Sequence, residues 1–367
     1  MKISGPRALL TGLACWVLVS SPFAALHAEE PAAARARPRY ELIDLGIPYA
    51  SVTAGINNKG QIVGTNTLSP TGPGLGYVWK DGHFQYIPAV GGTDSQAAGL
   101  NERGEVVGSA QSTQNTYIGM LYRQGESEAL PITLANGINN HGQIVGFSNT
   151  FQPLPNVQWV AQLYQDGTVT DLGNLGGLYA NATAINERGE IVGQSSTTDS
   201  LTPPFHAFIY RRGKMTDLGT LGGQATGATA INSHGTVTGV SSLPETTAEV
   251  VYEHAFLYRS GRLIDLGVVG SDFSSNGMAI NDSDDVVGMS TTSTGSQLAM
   301  IYTHGKMWHL QDLVESSSTL ASHVNLYQAT GINNDGWIAV NGYDTDNMAP
   351  PNTTFGLPRS YLLRPIR

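Results

Sequence analysis

A short motif recurs seven times along the chain and limits the possible folds more than any other feature. Each copy carries an aliphatic residue, Asn, two polar residues and, in six of the seven copies, Gly. The seven asparagines are Asn57, Asn101, Asn139, Asn186, Asn232, Asn281 and Asn333. Neighbouring copies lie 38 to 52 residues apart. A period of about 46 residues indicates a repeat architecture, in which each unit covers the apolar face of the next.

The motif has the composition of a tight hairpin turn. Asn is favoured at the first corner of a type I turn, where its side chain binds the backbone ahead, and Gly at the fourth corner supplies a positive φ. The predicted turn glycines are Gly60, Gly104, Gly142, Gly189, Gly235 and Gly336. The sixth copy carries Asp284 and Asp285 and lacks the Gly, so we expect a looser or differently shaped turn there.

A second hairpin follows in each unit, and it is clearest in HAFIYRRGKMTDLG (residues 206–219) and HAFLYRSGRLIDLG (residues 254–267). Apolar and polar positions partly alternate on both sides of an x-Gly turn, which predicts two further strands. Only residues 314–323 hint at a helical turn. Four short strands per unit predict an all-β fold: a seven-bladed β-propeller with four antiparallel strands per blade.

The two ends of the repeat region are complementary fragments of one unit. Residues 40–46 (YELIDLG) match a fourth strand without the first three, and residues 359–366 (RSYLLRPI) match a third strand without a fourth. We therefore expect the N-terminal strand to complete the last blade, which closes the ring. The small residues before each repeated Asn suit the crowded innermost strand. Both hairpin turns then lie on one face, and the longer connections, where binding is expected, lie on the other.

The N-terminal residues have the pattern of a secretory signal. Lys2 and Arg7 precede an apolar run at residues 8–19, and small residues follow up to Ala28, where cleavage is expected. The run is too short for a permanent membrane span, and no later segment is apolar over 18 residues. We predict a signal peptide at 1–28, a disordered lead-in at 29–39, a propeller at 40–367, and a secreted or periplasmic location. Lipid attachment at Cys15 is an alternative.

Composition narrows the classes of function. The net charge of −10 argues against a nucleic-acid partner, because phosphate binding needs excess positive charge. With 40% hydrophobic and only 13% charged residues, the chain does not resemble a disordered protein. The single cysteine lies inside the predicted signal, so neither disulfides nor thiol chemistry is expected in the mature chain.

The repeated pattern HAF(I/L)Y…DLG…LGG…AIN..G..VG resembles the bacterial HAF-type probable extracellular repeat family. The residues that carry the resemblance are His206, Ala207, Phe208, Asp217, Leu218, Gly219, Gly222, Gly223, Ile231, Asn232 and Gly235, and again residues 254–267 with Ile280 and Asn281. The resemblance covers roughly residues 40–367, although the first, second and last units lack HAF. It implies export and a propeller-like repeat scaffold, and it supplies no catalytic residues.

Residues that break the repeat are the better candidates for a site, because function on a symmetric scaffold usually shows as asymmetry. The predicted ligand-binding residues are Asp94, Trp159, Tyr179, Asn181, Asp272, Asn276, His323, Asn325 and Tyr327. The long connections add Phe205, Glu249, Tyr252, Glu253, Asp344, Asp346 and Phe355. Aromatic and polar side chains together suit a sugar or a small organic ligand. The alternative is that they are only the mixed surface of loops.

Other polar residues are better explained by structural roles. The repeated aspartates are Asp44, Asp171, Asp217, Asp265 and Asp312, which fall in different units and match turn or backbone hydrogen bonding. His206 and His254 occupy equivalent positions, so packing or hydrogen bonding is expected for them. No metal or cofactor is predicted. Calcium at residues 344–347 stays an alternative, although that segment lacks the Gly and distal Glu of a calcium loop.

These observations favour an exported, non-catalytic scaffold that binds a protein, small-molecule or glycan ligand on its loop-rich face. The partner is unknown, and a monomer is expected. One alternative is a hydrolase or lyase that acts on an extracellular carbohydrate or small molecule at the mouth of the axial channel. Another is an adhesion module. An enzyme requires a carboxylate or histidine with a shifted pKa beside a second polar group in an axial pocket.

Overall fold

The computed structural model describes residues 37–69, 72–150, 158–199, 204–247, 251–346 and 356–366. Within them, 28 strands form seven four-stranded antiparallel sheets, which confirms the predicted seven-bladed β-propeller. The predicted signal peptide and most of the predicted lead-in lie outside the described residues.

Blades 1 to 6 each contain four strands that are consecutive in the sequence. Blade 1 comprises β2 (Ala50–Ile56), β3 (Ile62–Thr67), β4 (Gly74–Lys80) and β5 (His83–Tyr86). Blade 2 comprises β6 (Ser95–Leu100), β7 (Val106–Gln111), β8 (Tyr117–Arg123) and β9 (Glu126–Ala129). Blade 3 comprises β10 (Leu134–Ile138), β11 (Ile144–Thr150), β12 (Gln158–Gln165) and β13 (Thr168–Asp171). Blade 4 comprises β14 (Ala180–Ile185), β15 (Ile191–Ser196), β16 (Phe205–Arg211) and β17 (Lys214–Asp217).

The remaining three blades include the closing one. Blade 5 comprises β18 (Thr226–Ile231), β19 (Val237–Ser242), β20 (Glu253–Arg259) and β21 (Arg262–Asp265). Blade 6 comprises β22 (Ser274–Ile280), β23 (Val286–Thr291), β24 (Gln297–Thr303) and β25 (Lys306–His309). Blade 7 comprises β26 (Val324–Ile332), β27 (Ile338–Asp344), β28 (Pro358–Pro365) and β1 (Tyr40–Asp44). Two short 3-10 helices, Leu310–Leu313 and Leu320–Ser322, precede β26. None of the described helices is long and apolar enough to cross a membrane.

The N-terminal strand closes the ring, as predicted. β1 pairs antiparallel with β28, from Tyr40 opposite Pro365 to Asp44 opposite Tyr361. Tyr40 and Leu42 are each only 4% exposed, and they belong to the apolar cluster that β26, β27 and β28 share with blade 6. The outer strand of blade 7 therefore contributes core contacts as well as backbone hydrogen bonds, and both stabilise the closed ring.

The seven repeated asparagines form a continuous ring of hydrogen bonds around the axis. In each turn the side-chain oxygen accepts the N–H groups two and four residues ahead; for Asn186 these belong to Arg188 and Glu190. Each side-chain nitrogen then donates to the backbone carbonyl of the repeated Asn in the next blade, at 3.0–3.3 Å. The last bond runs from Asn333 to Asn57. The asparagines therefore join blades as well as form turns.

The sixth turn differs less from the others than expected. Asp284 adopts a φ of 61°, in the region the turn glycines occupy, and its N–H donates to the carbonyl of Asn281 as in the other copies. The prediction of a looser or differently shaped turn is therefore wrong. Asp tolerates the left-handed region better than most residues with a Cβ atom, so the surrounding hydrogen bonds hold the common turn shape.

Candidate functional site

The innermost strands leave a chamber of about 270 Å³ on the axis. Its lining consists of Ala, Gly, Ile, Leu, Thr, Met and one Asn, and none of the nine predicted ligand-binding residues belongs to it. The polar side chains are engaged in joining the blades; the hydroxyl of Thr183, for example, donates to the carbonyl of Ala228. Among the described residues, the chamber has no carboxylate or imidazole in its lining. It therefore offers no general acid or base there.

A second axial space lies at the face of the Asn turns, and aliphatic side chains separate it from the chamber. The side chains that line both spaces are Ile56, Ile185, Ile231, Ile280 and Ile332. Glu102, Glu187 and Asp282 supply carboxylates to this turn-face mouth. Each of the three accepts a backbone N–H from the preceding blade, at 2.9–3.1 Å. These acids therefore form hydrogen bonds that join neighbouring blades.

Asp282 shows the electrostatic consequence of that role. Burial on its own raises the pKa of Asp282, but hydrogen bonds from Ser233 and Asn334 outweigh burial and leave the pKa below its usual range. The amide nitrogen of Asn334 lies 2.8 Å from the carboxylate. Asp282 therefore stays ionised at neutral pH, which suits a structural acceptor and excludes a general acid.

Four aromatic residues form a strip across the boundary between blades 3 and 4, on the loop-rich side. This aromatic strip consists of Phe147, Trp159, Tyr179 and Phe205, with centroids 5.3, 5.7 and 6.4 Å apart in that order. Trp159 is 39% exposed. Its backbone N–H donates to the carbonyl of Leu178 at 3.1 Å, so the backbone of blade 3 is hydrogen-bonded to the connection that leads into blade 4. The strip thus presents the exposed ring of Trp159 together with three half-buried aromatic rings.

Asn181 links this region to the axis. Its side-chain oxygen accepts a hydrogen bond from the amide of Asn136 at 2.8 Å, and Asn136 lines the axial chamber. Three of the predicted ligand-binding residues, Trp159, Tyr179 and Asn181, thus lie at the boundary between blades 3 and 4.

The predicted residues of blades 2 and 6 lie elsewhere around the ring. The carboxylate of Asp272 accepts hydrogen bonds from the hydroxyl of Ser290 and from Nε2 of His309, the latter at 2.7 Å. Asp94 accepts a hydrogen bond from the hydroxyl of Tyr117 at 2.8 Å. One oxygen each of Asp94 and Asn276 is buried with no hydrogen-bond partner among the described residues.

The remaining predicted ligand-binding residues, His323, Asn325 and Tyr327, belong to blade 7 or to the segment before it. Nδ1 of His323 lies 2.9 Å from Asp344 and 3.8 Å from Asp346. Tyr327 stacks on Tyr343 with centroids 4.6 Å apart and planes inclined by 21°. Burial raises the pKa of Tyr327 above its ordinary value. Asn325, an exposed residue, pairs with Tyr343 across β26 and β27. Thus the nine predicted residues do not share one pocket.

The long-connection candidates include one further aromatic pair. Tyr252 and Phe273 have ring centroids 4.8 Å apart, and the neighbouring Glu253 has a raised pKa because of burial. Glu249 and Phe355 lie outside the described residues.

Three of the five repeated aspartates, and the two repeated histidines, take structural roles. Asp44, Asp217 and Asp265 accept the N–H of the glycine two residues ahead at 2.7–2.8 Å. Asp217 and Asp265 also bind His206 and His254, at 2.7 and 2.8 Å.

Phe147 was missed by the sequence reasoning. It follows the Gly of the second strand of blade 3. At the same position, blades 1, 2, 4, 5 and 6 carry Thr, Ser, Gln, Val and Met. An aromatic ring at this repeated position is the signal that would have found it.

Neither a protein-family model nor a curated protein sequence matches the chain. Several solved structures are similar to it in fold. The β-propeller domain of the Trilobed protease from Pyrococcus furiosus, which has an open velcro topology, matches with a TM-score of 0.56 and 9% identity over 86% of this chain and 97% of that one. In the present chain, by contrast, β1 pairs with β28.

Two larger proteins also match. The acylaminoacyl peptidase of Pyrococcus horikoshii has a TM-score of 0.56 and 10% identity over 86% of this chain and 52% of its own. A Mycobacterium tuberculosis puromycin-hydrolyzing peptidase has a TM-score of 0.51 and 13% identity over 90% of this chain and 54% of its own. The chain spans about half the length of these two peptidases. At such identities the similarity shows a propeller fold alone.

Proposed function

We propose that the protein is an exported scaffold that binds a carbohydrate on the aromatic strip of blades 3 and 4. The observation that supports this most is the exposure of Trp159, whose ring lies beside the rings of Phe147 and Tyr179. A large flat ring at the surface offers an apolar face with a polar edge. The C–H faces of a sugar ring fit such a surface.

Polar groups beside the strip supply the hydrogen bonds that a sugar also needs. Asn149 lies opposite Trp159 in the β11–β12 pairing, and its side chain accepts a hydrogen bond from the hydroxyl of Thr133 at 3.0 Å. Aromatic walls with a few fixed polar groups are typical of small-ligand sites.

The lining of the axial chamber, with no acid or base among the described residues, favours binding over hydrolysis. The signal pattern of residues 1–28 supports export.

The test is a glycan-array screen of the mature chain, followed by calorimetry with the sugars that bind. Replacing Trp159 by alanine is expected to weaken binding roughly thirtyfold, since a central Trp contributes about 2 kcal/mol at a binding surface. Far-UV circular dichroism checks that the variant keeps its fold.

Trp308→Ala is the matched control. Trp308 is half-buried on β25 of blade 6, where Lys306 covers its ring at 3.7 Å, so the same side chain is removed at a distance from the strip. Its variant is expected to bind the sugar with unchanged affinity. A screen without any bound glycan, or equal affinities for wild type and Trp159→Ala, contradicts the proposal.

A further inference from the structure

Four His–Asp pairs lie in the described part of the chain, and one of them differs from the rest. Their N–O distances are 2.7–2.9 Å, and the pairs are His206 with Asp217, His254 with Asp265, His309 with Asp272, and His323 with Asp344. Next to His323 there is also the carboxylate of Asp346. Within the described ranges, this is the one set of three metal-ligating side chains whose ligand atoms all lie within 4.8 Å of one another.

The spacing of these atoms is close to that of a coordination sphere. Zinc lies about 2.0–2.2 Å from imidazole nitrogen and carboxylate oxygen, so two ligands of one ion are separated by roughly 3–3.6 Å in tetrahedral or octahedral geometry. Nδ1 of His323 is 2.9 Å from Asp344 and 3.8 Å from Asp346. The side chain of Asp346 is 74% exposed, so a change in its side-chain torsion angles would meet little steric resistance.

The backbone fixes the three residues relative to one another. The N–H and hydroxyl of Thr345 both donate to the carbonyl of His323, at 2.8 and 2.9 Å. The N–H of Asp346 donates to Asp344 at 2.9 Å. The side chain of Asp344 is only 8% exposed, so one side of the group is buried while Asp346 leaves the other open to solvent.

The hydroxyl of Tyr361, on the strand that pairs with the one carrying Asp344, is unsatisfied. Tyr361 is fully buried, and its hydroxyl has no hydrogen-bond partner among the described residues. An ordered water is the kind of partner that satisfies such a buried group.

We propose that His323, Asp344 and Asp346 form a binding site for a divalent transition-metal ion of the Zn²⁺ class, with solvent in the remaining position. Imidazole nitrogen is a good ligand for zinc. Calcium takes oxygen ligands, so the presence of His323 favours zinc over the calcium that residues 344–347 suggested. This site is independent of the aromatic strip.

The test is calorimetry on tag-free protein, dialysed against chelator and titrated with ZnCl₂ or CaCl₂. Wild type is expected to bind one equivalent of Zn²⁺ and to prefer it to Ca²⁺. Asp346→Asn, at an exposed position that does not threaten the fold, is expected to weaken Zn²⁺ binding at least about tenfold. His323→Ala is expected to do the same or more.

His206→Ala is the matched control, because it removes a histidine from a His–Asp pair without a third ligand. Its Zn²⁺ affinity is expected to equal that of wild type. Three results overturn the proposal: no stoichiometric Zn²⁺ binding, a preference for Ca²⁺, or an Asp346→Asn variant that binds Zn²⁺ as wild type does.

Discussion

Replacing Asn186 by alanine is expected to lower the free energy of unfolding by about 3–5 kcal/mol, because it leaves several buried backbone groups without a hydrogen-bond partner. The side-chain oxygen accepts the N–H groups of Arg188 and Glu190, each at 3.0 Å. The nitrogen donates to the carbonyl of Asn232 in the next blade at 3.1 Å. Asn186 is 5% exposed, so water cannot readily replace these bonds. Urea unfolding followed by circular dichroism measures the loss.

The control for this variant lies two residues away. The side chain of Arg188 is about half exposed and pairs with Glu190 at 3.0 Å. An exposed ion pair contributes no more than about 1 kcal/mol, so Arg188→Ala is expected to change stability by less than that. Equal effects of the two substitutions would show that the Asn ring does not hold the blades together.

Gly193→Ala is expected to destabilise the fold by about 3 kcal/mol or more, or to prevent folding, because the added methyl group overlaps the backbone. A Cβ atom at Gly193 would lie 2.0 Å from the carbonyl oxygen of Asn181 on the adjacent inner strand. That carbonyl cannot rotate away without breaking the strand pairing. The same crowding, at 1.9–2.0 Å, occurs at the equivalent residues Gly64, Gly108, Gly146, Gly239 and Gly288.

Gly74→Ala provides the comparison for that substitution. Its added Cβ would meet the nearest atom, a methyl carbon of Thr65, at 3.4 Å, which is an ordinary contact. Its stability is expected to stay within about 1 kcal/mol of wild type. If Gly193→Ala and Gly74→Ala unfold at the same urea concentration, close strand approach is not the reason for the repeated glycine.

Blade 7 shows how the fold accommodates a larger residue at this position. Val340 replaces the glycine there, opposite Ala329. The inner strand β26 has two register shifts, whereas the inner strands of the other blades have one. The additional bulge falls at Tyr327 and accompanies the stacking of that ring on Tyr343. A bulge bends a strand and re-aims its side chains, so the departure from the repeat also shapes the surface of this blade.

The fold was predictable because the same local sequence pattern, a turn motif between short strands, occurs seven times. Turn chemistry, strand alternation and the complementary end fragments each follow from short-range patterns, and all three point to one ring. The blade-to-blade role of the asparagines was not predictable, because the acceptor of Asn57 lies 44 residues ahead, at Asn101.

The site was less predictable than the fold, because its contacts join residues that are far apart in the sequence. Asp272 stands out in the sequence as a ligand-binding residue, yet its carboxylate is engaged by Ser290 and His309, which lie 18 and 37 residues further along the chain. Trp159 and Tyr179 meet only because one blade packs on the next. Such contacts depend on strand register and on inter-blade packing, and neither is encoded in a local motif.

Closure of the ring by the N-terminal strand is tested most directly with a pair of cysteines placed across β1 and β28. Glu41 and Arg364 are register partners, and residues directly opposite in antiparallel strands have Cα atoms about 4.5–5.5 Å apart, which a disulfide spans. A protein expressed from residue 29 onward has no other cysteine, since the single cysteine of the sequence is Cys15. Under mild oxidation, Glu41→Cys with Arg364→Cys is expected to form an intramolecular disulfide, detected by mass spectrometry as the loss of two hydrogens.

The control pair, Glu41→Cys with Arg359→Cys, places the second thiol about 17 Å further along β28, and it is expected to stay reduced. Failure of the Glu41–Arg364 pair to form the bond within one chain, or equal oxidation of both pairs, would contradict a propeller closed by its first strand.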